Sequence, residues 1–215
     1  MKRFADRQKA GEALAETICL QSTDRKGLVL ALPRGGVPVA APIAHSLKVP
    51  LDVLVVRKLG VPGWEELAAG AIGSGGVEVL NRDIVDHFHL TDVGLEPVRQ
   101  RELQELQRRE RLYRGNRPQL NLEGSTVFLV DDGVATGATM QAAVLLAKQL
   151  GAARVVVAVP HSSREALEAL QVQADEVICL QVPDPYEAVG RWYLDFSEVG
   201  DDEVRALLAE APGQS

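Results

Sequence analysis

Val127-Phe128-Leu129-Val130-Asp131-Asp132-Gly133-Val134-Ala135-Thr136-Gly137-Ala138-Thr139 is the stretch on which the reading of this chain turns. Four apolar residues in succession, rather than in alternation, predict a short strand buried on both faces, as in a parallel sheet covered by helices. The strand delivers two consecutive carboxylates to its carboxyl end. A loop of small residues with two hydroxyls then enters a helical pattern over Ala138–Leu150, which Gly151 stops in the position expected of a C-terminal glycine. Backbone N–H groups at the start of that helix, with the hydroxyls of Thr136 and Thr139, make a phosphate cradle. Carboxylates beside such a cradle repel a bare phosphate, so they need a partner that donates hydrogen bonds. The vicinal hydroxyls of a ribose, with its 5-phosphate in the loop, supply one. An Asx turn with a helix cap is the plain structural alternative. It accounts for the Thr-Gly-Ala-Thr piece but not for the strand-borne acid pair. Neither G-x-x-x-x-G-K-[ST] nor G-x-G-x-x-G occurs in the chain.

Outward from this stretch, short runs rich in Val, Ile and Leu alternate with helical patterns. Strands are expected at Gly27–Leu32, Leu51–Val56, Arg154–Val159 and Glu176–Leu180, and helices at Val37–Leu47 and Arg164–Leu170. The alternation predicts an α/β fold: a doubly wound, mainly parallel central sheet with helices on both faces. Ligands bind such sheets at the carboxyl ends of strands, near the switch point. Two regions break the rhythm. The insertion Gly60–Gly124 begins with Gly- and Pro-rich loop chemistry, includes a short strand at Val77–Leu80 and ends in an arginine-rich helix. From Arg99 to Arg117 it has seven arginines against three glutamates, read as an amphipathic helix with solvated charges. The second region, residues 182–198, gathers Tyr186, Trp192, Tyr193 and Phe196.

Composition narrows the classes. A hydrophobic content of 46% over 215 residues suffices for one sizeable core. No stretch is apolar and long enough to span a bilayer, and Met1-Lys2-Arg3 runs into mixed charge rather than a leader. Cys19 and Cys179 lie in apolar stretches and read as reduced core residues, which implies a cytoplasmic address. A net charge of -7 argues against broad nucleic-acid binding.

Three further segments follow strand ends. In Leu32-Pro33-Arg34-Gly35-Gly36-Val37-Pro38, two glycines permit close approach of a ligand and Arg34 offers a fork for phosphate oxygens. Val55-Val56-Arg57-Lys58-Leu59-Gly60-Val61-Pro62-Gly63 carries a basic pair, and Val182-Pro183-Asp184-Pro185-Tyr186 is followed by Arg191-Trp192-Tyr193-Leu194-Asp195-Phe196. Each has a bland counterpart: a strand–helix turn, a solvated pair and a small aromatic core.

The acid–loop segment resembles the phosphoribosyl pyrophosphate signature of type I phosphoribosyltransferases, and the resemblance extends along most of the chain as a single domain, residues 1–215. It implies that Asp131 and Asp132 hold ribose hydroxyls, while Ala135, Thr136, Gly137, Ala138 and Thr139 hold the 5-phosphate. The Arg34-Gly35-Gly36 segment is similar to the family's pyrophosphate loop, which often holds an unusual cis peptide. Arg57 and Lys58 resemble the opening of the mobile loop of adenine enzymes, where they would neutralise departing pyrophosphate. That loop, Gly60–Gly75, has five glycines in sixteen residues and is expected to close over substrate. Residues 182–198 resemble the hood of hypoxanthine-guanine enzymes, which makes Tyr186 a base stacker and Asp195 a metal-site carboxylate. His161 falls where purine enzymes often have a base-reading lysine. The implied reaction displaces pyrophosphate from C1 of the ribose by a nitrogenous base, with Mg²⁺ held through Asp131, Asp132 and Asp195 by way of water. Asp131, Asp132, Arg34 and Lys58 would act electrostatically; the implied assembly is a homodimer.

The chain departs from these patterns in two places. Ala135 stands where hypoxanthine-guanine enzymes place a purine-contacting aspartate. Ala69–Gly76 carries small residues where adenine enzymes have Tyr and Glu. A sensor or regulator that binds 5-phosphoribosyl pyrophosphate without turning it over is therefore the alternative to a transferase.

Overall fold

The structure, a computed structural model, describes residues 2–21 and 27–213. Along the chain, α1 (Arg7–Gln21) precedes β1 (Leu28–Ala31), α2 (Gly36–Leu47) and β2 (Leu51–Val53). Three strands follow, β3 (Val56–Val61), β4 (Trp64–Gly73) and β5 (Val77–Leu80), then α3 (Arg82–His87) and α4 (Asp92–Arg114). The remainder alternates β6 (Thr126–Val130), α5 (Ala138–Gln149), β7 (Arg154–His161), α6 (Arg164–Gln173) and β8 (Glu176–Gln181), and closes with α7 (Asp201–Glu210).

Five strands form a parallel sheet in the order β2-β1-β6-β7-β8. The chain order reverses between β1 and β6, so the crevice at their carboxyl ends is the switch point where such folds bind ligands. Successive residues of a strand face opposite sides, and both sides are covered. Val29, Ala31, Phe128, Val130 and Val156 pack with Leu14 and Ile18 of α1, Ile43 of α2, and Val204 and Leu208 of α7. Leu30, Val127, Leu129, Val155 and Val157 pack with Met140, Val144 and Ala147 of α5 and Leu170 of α6. This two-sided burial is why the strands read as unbroken apolar runs. Helices α1 and α7 had no counterpart in the sequence reading. The buried stripe of α1, Ala10-Gly11-Leu14-Ala15-Ile18, is mostly small residues and gives weak contrast.

The stretch expected to be a mobile loop contains much of an antiparallel sheet, β3-β4-β5. Val61 pairs with Trp64, leaving Pro62-Gly63 as a two-residue turn. Gly63 has φ +81°, which suits glycine after a proline-led turn. The glycines that suggested a loop allow close strand approach: a Cβ on Gly70 would sit 2.4 Å from the Val79 carbonyl oxygen. A smaller core of Val61, Ala69 and Leu95 closes this unit. The arginine-rich helix begins earlier than its charge pattern. Thr91 caps it, accepting from the Gly94 N–H at 3.1 Å. Residues 182–198 run mostly outside regular structure, with one 3-10 turn at Val189–Trp192, and are tied to the amino terminus by Phe4 N–H to Trp192 O at 2.9 Å and Leu194 N–H to Phe4 O at 2.8 Å. Among the described residues, no helix is long and apolar enough to cross a membrane.

Candidate active site

Asp131 and Asp132 follow β6 directly, in the middle of the parallel sheet. Across the switch point, the segment after β1 folds against them. Leu32 N–H donates to Val130 O at 2.9 Å, and the Pro33–Arg34 peptide is cis. A Cβ on Gly35 would lie 2.0 Å from Asp132 Oδ2, and one on Gly36 would lie 2.6 Å from Val130 O. Only glycine fits where this loop touches the acids. Arg34, Gly35 and Asp132 line one cleft of about 390 Å³ together with Arg7, Phe196, Glu198 and Val199.

The segment after the acid pair is anchored at one end and open at the other. Val134 N–H donates to His161 O at 3.0 Å, and Ser163 Oγ donates to Ala135 O at 2.7 Å. Beyond this clamp Ala135, Thr136 and Thr139 are exposed. Gly137 turns the chain at φ +80°. Gln141 N–H donates to Gly137 O at 2.8 Å, so the amides of Ala138, Thr139 and Met140 precede the first amide that donates within the helix, as at any helix start. Such amides favour an anion.

Burial pushes the Asp131 carboxyl well above its ordinary range, and the neighbouring Asp132 carboxylate adds to the shift. Asp131 Oδ1 accepts from the Asp132 N–H at 2.8 Å. Burial also raises Asp132, but Arg7 opposes it, donating Nε–H to Oδ2 at 2.8 Å. The same guanidinium donates through Nη1 to Ser197 O at 2.8 Å and lies 3.8 Å from the Phe196 ring centroid. Arg7, at the start of α1, was absent from the sequence reading; a single arginine near the amino terminus carries no pattern that would point to an acid pair. It is the cation that lets two buried carboxylates sit side by side.

Most of the other residues singled out from sequence have protein partners of their own. His161 and Tyr186, expected to read and stack on a base, face each other, with His161 Nδ1 2.9 Å from the Tyr186 hydroxyl. His161 is fully buried among Phe4, Trp192 and Tyr193, and burial pulls its pKa down to about 4. A Cβ on Gly133 would meet its Cε1 at 2.3 Å. The imidazole is thus the floor beneath the acid-bearing turn. Tyr193 completes that floor, donating its hydroxyl to Asp132 O at 2.5 Å. Arg57 is bound to Glu102 of α4, with Nε 2.8 Å and Nη2 2.6 Å from Oε2, whereas Lys58 is exposed on β3. Asp195 is bonded within its own segment. Its Oδ1 accepts from Ser197 N–H at 3.0 Å and Ser197 Oγ at 2.6 Å, which holds its carboxyl below the usual range. It lines a neighbouring cavity of about 550 Å³ with Arg7, Glu12 and His45. Among the described residues, no three His, Cys, Asp or Glu side chains are grouped to hold a metal.

The comparisons with known proteins agree with this architecture. The family model described as phosphoribosyl transferase domain matches residues 5–196. Two Mycobacterium tuberculosis proteins, from strains CDC 1551 / Oshkosh and H37Rv and provisionally named phosphoribosyl transferases, are each 48% identical over 211 residues. The match covers 98% of this chain and 47% of theirs, so the chain spans about half the length of the curated relatives it matches. The crystal structure of TT1426 from Thermus thermophilus superposes with a TM-score of 0.89 at 46% identity, covering 98% of this chain and all of that one. With a sheet whose switch point carries an acid pair, a glycine loop and an open helix start, and a family match over most of its length, this chain belongs to the phosphoribosyl transferase domain family.

Proposed function

We propose that the chain transfers ribose 5-phosphate from 5-phosphoribosyl pyrophosphate to a nitrogenous base, releasing pyrophosphate. The observation that carries this reading is the single cleft lined by Asp132, Gly35 and Arg34 at the switch point. It sets acceptors for ribose hydroxyls beside a cation for the leaving group. The helix start at Ala135–Thr139 receives the 5-phosphate, and Lys58 joins Arg34 at the pyrophosphate.

Displacement at C1 forms a bond to the ring nitrogen of the acceptor and breaks the bond to the pyrophosphate oxygen. Such sugar transfers pass through an oxocarbenium-like transition state. Positive charge grows on the ribose against the Asp131–Asp132 pair, and negative charge grows on the leaving group against Arg34 and Lys58. Fixed groups aimed at developing charge are often the largest catalytic term. Mg²⁺ is usually held by one or two carboxylates together with substrate phosphates and waters, which suits an acid pair without a three-ligand cage. Asp131 and Asp132 would hold it through water, and it would supply neutralisation of the pyrophosphate oxygens. Asp195, bonded to Ser197, is left out of that set. We place the protein in the cytoplasm, in keeping with its free Cys19 and Cys179, and, on the family resemblance alone, as a homodimer.

A second reading, a binder of 5-phosphoribosyl pyrophosphate without turnover, is favoured by Ala135 and by the burial of His161, which leave no evident base-reading set. Mixing the protein with 5-phosphoribosyl pyrophosphate, Mg²⁺ and a panel of bases, and measuring pyrophosphate, separates the two. Release with at least one base is expected, and guanine and hypoxanthine are expected to be poor acceptors. Tight binding with no release from any base would establish the sensor instead.

A further inference from the structure

Helix α4 is left without a role by the site as described. Its buried residues are Leu95, Glu102, Leu106, Tyr113 and Arg114. The first four fall on one stripe, at helical spacings of seven, four and seven. Leu95 and Leu106 are ordinary core residues. Glu102 and Tyr113 are polar groups buried at a cost unless they are partnered; the first binds the strand residue next to Lys58, and the second binds a residue beside Arg34.

Glu102 Oε2 accepts from Arg57 Nε at 2.8 Å and Nη2 at 2.6 Å. Neighbours in a strand project to opposite faces, so fixing Arg57 against α4 directs Lys58 off the other face, where it is exposed. Tyr113 donates its hydroxyl to Asp201 Oδ1 at 2.7 Å, and that oxygen lies 3.9 Å from Arg34 Nη1, on the guanidinium whose Nη2 is bound to Glu198. The helix therefore reaches, at one remove, both cations assigned to the leaving group.

We propose that Glu102 and Tyr113 are positioning residues: through Arg57 and Asp201 they set Lys58 and Arg34 against the departing pyrophosphate. This rests on the phosphoribosyl pyrophosphate reading of the site, and it assigns Arg57 to the frame rather than to the ligand.

The test is titration calorimetry of the full chain with 5-phosphoribosyl pyrophosphate and Mg²⁺, beside melting curves and hydrogen exchange of Val56–Val61 and Leu32–Val37. Glu102→Gln and Arg57→Met should each weaken binding by about threefold to tenfold, since misplacing a group costs less than deleting it. The double variant should lose no more than either alone. Tyr113→Phe, the more conservative change, should weaken binding by about twofold to fivefold on the same grounds, with exchange raised at Leu32–Val37 and melting nearly unchanged. If Glu102→Gln does not fold, Tyr113→Phe and Asp201→Asn carry the test, again without adding. Wild-type affinity in both Glu102→Gln and Tyr113→Phe would overturn the inference. So would an Arg57→Met loss far larger than that of Glu102→Gln, because Arg57 would then touch the ligand itself. Failure of the wild type to bind at all would sink the reading of the site, and this inference with it.

Discussion

His161 offers a test of the floor beneath the acid pair that needs no ligand. Burial alone moves its pKa from 6.5 to about 4, so the ring is neutral in the folded protein near pH 7. In the unfolded chain it takes up a proton at the ordinary value. As pH falls from 6.5 toward 4, the unfolded state holds up to one more proton than the native state, and stability is lost. Above that window both states are neutral and nothing changes; below it both are charged and the loss saturates. A shift from 6.5 to about 4, at ~1.4 kcal/mol per unit, corresponds to about 3 kcal/mol. The perturbation is His161→Gln, which removes the titration while keeping an amide within reach of the Tyr186 hydroxyl. Urea unfolding of both proteins at several pH values from 7.5 to ~4 gives two stability curves. The variant should start below the wild type at pH 7.5 and close on it by about 3 kcal/mol as the pH falls. Taking the difference cancels Asp131, whose raised carboxyl acts with the opposite sign in both proteins. His45, His87 and His89 are exposed and common to both. Parallel curves across the window would refute a neutral, desolvated His161 and with it the packed floor.

Three further outcomes are expected. Asp132→Asn removes a charge-assisted acceptor worth about 1.5–3 kcal/mol; calorimetry should show affinity for 5-phosphoribosyl pyrophosphate falling about tenfold to a hundredfold, melting should fall because Arg7 loses its partner, and unchanged affinity would remove Asp132 from the site. Arg7→Met strips the counter-charge from Asp132; the side chains of Arg7 and Asp132 are only 12% and 13% exposed, so urea unfolding should register a loss of about 3 kcal/mol. Much of that loss should return in the double variant with Asp132→Asn, and simple additivity would deny the coupling. Gly35→Ala places a methyl 2.0 Å from Asp132 Oδ2, so binding should fall more than about tenfold; wild-type affinity there would mean that the glycine loop does not press on the acids.

How legible the molecule was depends on how far apart its interacting residues lie in the chain. The strand–acid–loop–helix unit is local: four apolar residues, two carboxylates and a glycine turn announce themselves within thirteen positions. The parallel sheet followed from the same kind of local reading, because two-sided burial leaves unbroken apolar runs. The hairpin of β3 and β4 was not legible because glycine serves both a flexible loop and strands packed too closely for a Cβ, and composition does not separate the two. The arginines of α4 looked solvated, yet Arg99 binds Glu78 on β5 and Arg114 binds Asp52 on β2; partners on distant strands leave no trace in the helix's own spacing. His161 was placed correctly at a strand end, but its neighbours Phe4, Trp192 and Tyr193 come from both ends of the chain and turn a pocket residue into a floor. Arg7 is the clearest case, 125 residues from the carboxylate it serves. Two adjacent, largely buried carboxylates relieve their repulsion by holding a proton or by drawing a cation; here Asp131 is pushed up and Asp132 draws Arg7. Which cation answers was decided by the packing of α1 under residues 192–197, where Phe196 stacks on the guanidinium and the Ser197 carbonyl holds its other edge.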